Sequence, residues 1–65
     1  MFELLEVVKL KKVILGLDVN LENTGTVVYV PAKGHYIVEF FDKNHDTIES
    51  SLDYDFTDKD LIKHN

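Results

Sequence analysis

Hydrophobic and polar positions alternate from the first apolar segment onward. Within Leu4–Val13, Val8 and Leu10 fall on one side of an extended chain and Lys9 and Lys11 on the other, which predicts a strand. The opening residues Met1–Leu5 fit one helical turn as well as an extended start. From Ile14 to Asn23 the pattern breaks. Gly16, Asp18, Asn20 and Asn23 interleave with Leu17, Val19 and Leu21, as in a long loop folded over the end of a sheet with its leucines tucked inward. The run Thr24-Gly25-Thr26-Val27-Val28-Tyr29-Val30 is rich in β-branched and aromatic residues and predicts the second strand. Pro31-Ala32-Lys33-Gly34 reads as a turn, and His35–Asp42 as the third strand. Lys43-Asn44-His45-Asp46 reads as another turn, followed by a strand over Thr47–Tyr54 with Ile48 and Leu52 as its apolar members. Thr57 or Asp58 is placed to cap a short helical turn within Asp55–Asp60, and Leu61-Ile62-Lys63 fits a last short strand.

These elements describe a mostly β chain. Two successive hairpins form a meander, a long loop follows the first strand, and a helical turn precedes the last. That order predicts a small SH3-like five-stranded antiparallel barrel, with residues 1–65 as a single domain. The spacing of Tyr36, Val38 and Phe40 points them into the core, joined by Val8, Leu10, Val28 and Val30. Val27, Tyr29, Ile37, Glu39 and Phe41 are then left on the outer face. A face turned to water should be polar, so Tyr29, Ile37 and Phe41 form an expected apolar patch rimmed by Glu39 and Asp42.

Composition adds a constraint on stability. A domain of 65 residues buries only about 60% of its unfolded surface. With no cysteine, no disulfide can staple it, and a partner or a second copy would steady it. The lack of cysteine suits a reducing cytoplasm, the expected location. Met1–Lys9 lacks the basic start and long apolar run of a targeting segment, and no stretch is long enough to span a membrane.

Charge gives the chain a direction. The net charge is −5, from 12 acidic and 7 basic residues. Up to Lys33 the signs balance, and Glu39 offsets Lys63. Asp42, Asp46, Glu49, Asp53, Asp55, Asp58 and Asp60 stand against only Lys43 and Lys59, so that window holds the whole excess. Such a surface repels a phosphate backbone and attracts a basic protein. There is no arginine and the isoelectric point is near 4.9, against which Lys9, Lys11 and Lys12 make only a small patch. Nucleic-acid binding is therefore a rival reading rather than the leading one.

No catalytic constellation is expected. His45 lies in Asp42-Lys43-Asn44-His45-Asp46, which has too few ligands at too irregular a spacing for a zinc or calcium loop. Ser50 and Ser51 lie outside a nucleophile elbow, and the acids read as a solvated face. The expectation is a non-enzyme with no cofactor and no metal.

Leu5-Glu6-Val7-Val8, Gly16-Leu17, Gly25-Thr26-Val27-Val28 and Tyr36-Ile37-Val38-Glu39-Phe40 together resemble a family of short bacterial proteins known only as a domain of unknown function. The likeness runs along almost the whole chain and rests on structural motifs. Members often lie beside genes for toxins, which implies antitoxins or immunity proteins. The chain departs from the pattern at Glu22-Asn23-Thr24, where the family tends to have Lys-Gly-Asp-Val. It departs again at Glu49, Ser50, Ser51 and Asp53, where the family is more apolar.

The expected function is a protein-binding module, an immunity or antitoxin protein that neutralises a basic toxin such as a nuclease. The expected contact residues are Asp42, Asp46, Glu49, Asp53, Tyr54, Asp55, Phe56, Asp58 and Asp60, with Tyr54 and Phe56 as aromatic anchors among the acids. The alternatives are a homo-oligomeric adaptor that self-associates through the apolar patch, and a nucleic-acid-binding barrel.

Overall fold

The computed structural model describes residues 1–64. Five strands form one antiparallel sheet: β1 (Val7–Leu10), β2 (Thr24–Ala32), β3 (His35–Phe41), β4 (Phe56–Thr57) and β5 (Leu61–Lys63). Their order across the sheet is β4-β3-β2-β1-β5. The outermost strands, β4 and β5, are adjacent in sequence and joined only by Asp58–Asp60. In a flat five-stranded sheet its edges would lie about 19 Å apart. The connecting turn is instead closed by Asp60 N donating to Thr57 O at 3.0 Å, so the sheet must curl until its edges meet. Among the described residues no ladder joins β4 to β5, and the result is an open curled sheet rather than the closed barrel expected.

The concave side holds the core: Val8, Leu10, Val19, Val27, Tyr36, Val38, Phe40, Phe56 and Leu61. The expected inward row of β3 is present, with Tyr36, Val38 and Phe40 all buried. On β2 the inward residue is Val27; Val28 and Val30 are exposed, contrary to expectation. The ladder explains this. Val27 pairs with Val38, Tyr29 with Ile37 and Ala32 with His35, with a register shift in each interval. These irregularities keep Val27 inside while placing Tyr29 opposite outward-facing Ile37, which strict alternation along β2 cannot do. Beyond Val27 the strand runs off the core as an arm, turning at Lys33-Gly34 with Gly34 at φ +79°.

Gly25 is the point of closest approach. A Cβ there would meet Val38 Cγ1 at 2.7 Å and Phe40 Cδ1 at 2.8 Å, so β2 lies on β3's core row only without a side chain. Tyr36 ties the core to the chain start. Its hydroxyl donates to Asp58 Oδ1 at 2.7 Å and accepts from Phe2 N at 2.9 Å, and the Phe2 ring meets it edge-on at 5.5 Å.

Two expected elements are replaced. The strand over Thr47–Tyr54 is reduced to a single bridge, Thr47 to Phe41, after which Glu49–Asp53 forms a 3-10 helix. Ser51 makes the difference. Its buried hydroxyl donates to Ile48 O at 2.7 Å and accepts from Phe40 N at 3.1 Å, taking the place of a ladder carbonyl. The helical turn expected within Asp55–Asp60 is instead β4 and a tight turn, in which Asp60 Oδ2 accepts from Thr57 N at 2.8 Å and from its hydroxyl at 3.1 Å. In the long loop Val19 is buried and Ile14 and Leu17 pack on the core, but Leu15 and Leu21 stay exposed.

Candidate protein-binding surface

The acids of residues 42–60 divide into those that build the fold and those left free. Asp42 Oδ1 accepts from the backbone N–H of Asn44 at 2.8 Å and of Asp46 at 3.0 Å, so it organises the hairpin turn in which His45 takes φ 67°. Asp60 holds the β4–β5 turn. Asp58 binds the Tyr36 hydroxyl and lies 3.3 Å from the Met1 amine. That hydrogen bond, reinforced by the amine, holds the Asp58 carboxyl below its ordinary value, while burial pushes the Tyr36 phenol up. Asp55 meets His35 Nδ1 through both oxygens at 3.1 Å. Among the described residues Asp46, Glu49 and Asp53 are exposed, and their carboxylates accept no hydrogen bond from the protein.

The two aromatics differ as well. Phe56 is completely buried, its ring 5.3 Å from Phe40, and is a core residue rather than a surface anchor. Strand β4 turns it inward, where only its hydrophobic surface counts. Tyr54 packs at a tilt against Phe56, with ring centroids 4.7 Å apart, and remains partly open to solvent.

The expected apolar patch is split. Tyr29 and Ile37 are cross-strand partners on the outer face, but Phe41 lies four residues along β3, and the Glu39–Thr26 pair comes between. Four strand residues span about 13 Å. Thr47 Oγ1 donates to Glu39 at 2.6 Å, which fixes that polar divider.

Each half of the patch opens onto its own groove. The first, about 970 Å³, runs between the long loop and the second hairpin. It is lined by Asp18, Glu22, Phe41, Asp42 and Glu49, with Lys43 its only lysine. The second, about 380 Å³, lies between the β2–β3 arm and the 3-10 helix. Pro31, Ala32, Ile37, Leu52 and Tyr54 line it, with His35, Asp53 and Asp55 at its margin. Sequence reasoning missed Asp18 and Glu22, which are distant in the chain from the acidic window, and also Pro31, Ala32 and Leu52. The polar composition of the first loop was the only signal for the former.

No group of three or more histidines, cysteines or carboxylates among the described residues is placed to hold a metal ion. Among the described residues no helix is long and apolar enough to cross a membrane. No protein-family model, no curated protein and no solved structure matches this chain.

Proposed function

We propose that this protein is a non-catalytic binding module for a basic protein, acting as an immunity or antitoxin protein that neutralises a toxin such as a nuclease. The observation that carries the reading is the first groove. Asp18 and Glu22 from the long loop and Glu49 from the 3-10 helix line one cleft with Asp42. Folding gathers these like charges against their mutual repulsion, and a cationic partner relieves it. The toxin as target is what the family resemblance adds.

The test is affinity capture from the native host with the intact chain, at low and high salt. The expected result is a basic protein that is released by salt and loses its activity when the chain is added. Glu22→Lys with Glu49→Lys is expected to abolish both effects. Recovery of the chain alone, or of a partner indifferent to salt and to both substitutions, overturns the reading.

A further inference from the structure

We infer that the second groove receives one bulky apolar side chain from an extended segment of the partner, with lysine or arginine on either side of that side chain. This rests on the reading that the partner is basic, and adds where and how it is gripped.

The 3-10 helix carries the first argument, because its burial is inverted. Ser51 is fully buried while Leu52 is 38% exposed on the groove wall. Across the groove Ile37 is partly open, and its cross-strand neighbour Tyr29 is 58% exposed. The groove is thus walled by Pro31, Ile37, Leu52 and the open edge of Tyr54, with Tyr29 exposed beside Ile37 but outside the lining. Contiguous apolar surface of this kind marks a contact site.

Size and charge select the occupant. At about 380 Å³ the groove is near the small end of ligand sites, with room for a side chain or two. Its margin carries Asp53 and Asp55 on either side of Tyr54, and its lining includes no lysine. Asp55 is already held by His35, whereas Asp53 is free to pair. An apolar residue seated on Ile37, Leu52 and Tyr54 therefore brings its neighbours to carboxylates, and lysine or arginine there completes the contact. Recognition is by side-chain insertion. Pro31 offers no backbone N–H, which disfavours addition of a partner strand along that stretch of the arm.

The probe is a synthetic capped peptide, Gly-Lys-Arg-Phe-Lys-Arg-Gly, titrated into the isotopically labelled intact chain and followed by amide chemical shifts. Two control peptides replace Phe by Ala, or the four cations by Glu. The expected shifts centre on His35, Ile37, Leu52 and Tyr54. Affinity is expected to fall at least about tenfold with the Ala peptide, the scale of losing one buried aromatic side chain. The Glu peptide is expected to give no shifts. Leu52→Arg is expected to abolish binding while leaving the melting temperature unchanged, and Leu52→Ala to weaken it. If the Phe and Ala peptides bind equally, with shifts at Asp18, Glu22 and Glu49, the second groove is not the site although the basic-partner reading stands. No shift with any peptide overturns the inference, and whether the basic-partner reading survives is then decided by the salt-dependent capture.

Discussion

The hairpin over residues 24–41 and the segment over residues 42–60 are of similar length but are held in different ways. In the hairpin, backbone bonds between β2 and β3 do the holding, and the side chains serve the core. In the following segment the ladder contributes one bridge and one two-residue pairing, and local backbone bonds of the turns are joined by side chains. Asp42 shapes the turn, Ser51 closes the helix onto Phe40, and Asp60 closes the step to β5. A segment held by turns and a few side chains rather than by a long ladder need not bury a regular row, so its remaining residues face solvent. That freedom is what leaves Glu49, Leu52 and Asp53 exposed at the grooves.

Substitutions that break one mode and spare the other test this contrast. The largest effect is expected in the hairpin, from Gly25→Ala. The added methyl overlaps the Val38 and Phe40 side chains at under 3 Å, so a loss of about 3 kcal/mol in denaturant unfolding is expected. A loss below about 1 kcal/mol would show that β2 shifts easily off β3. Ser51→Ala is next. It removes the acceptor for Phe40 N in a buried setting, with an expected cost of about 2 kcal/mol. Hydrogen exchange should locate the loosening at Phe40 and in Glu49–Asp53, leaving the β2–β3 ladder protected; uniform loosening would show that the two regions are not separable.

Tyr36→Phe follows, with an expected cost of about 1 kcal/mol for the hydroxyl. It also changes the response to pH. Asp58 titrates low in the folded chain, chiefly through the Tyr36 hydroxyl. Its contribution is therefore present above the unfolded carboxylate value of 3.8 and is lost as pH falls through the folded one. Tyr36 titrates high because it is buried. Its contribution is full below 10.0 and is lost as pH rises through the folded value. Tyr36→Phe should flatten both limbs of the stability profile, and an unchanged profile would remove the pair from the account. The smallest effect is expected from Asp53→Asn, within about 0.5 kcal/mol of the parent because the carboxylate is exposed and makes no hydrogen bond in the fold. A larger loss would mean that Asp53 belongs to the scaffold and not to the binding surface.

What the chain alone determined is the part governed by short-range periodicity. Alternation placed Val8, Leu10, Tyr36, Val38 and Phe40 inward, and the β-branched run marked β2, because burying one face of a strand imposes a period of two. The segment Leu61–Lys63 was also legible as a last strand. The concentration of acids was also legible, since charge is a matter of counting. Tertiary structure decided the rest. Tyr29 stays out as its sequence position implied, but the register shifts in β2 depend on its partner strand, so they alone settled that Val27 goes in. Ser51 reads as polar and exposed until Phe40 N is brought to it across the fold. The grooves join Asp18 to Glu49, and Pro31 to Leu52, across separations that no local pattern spans. The curl of the sheet brings those pairs together, and it follows from the requirement that two edge strands, joined by a tight turn, close around one core.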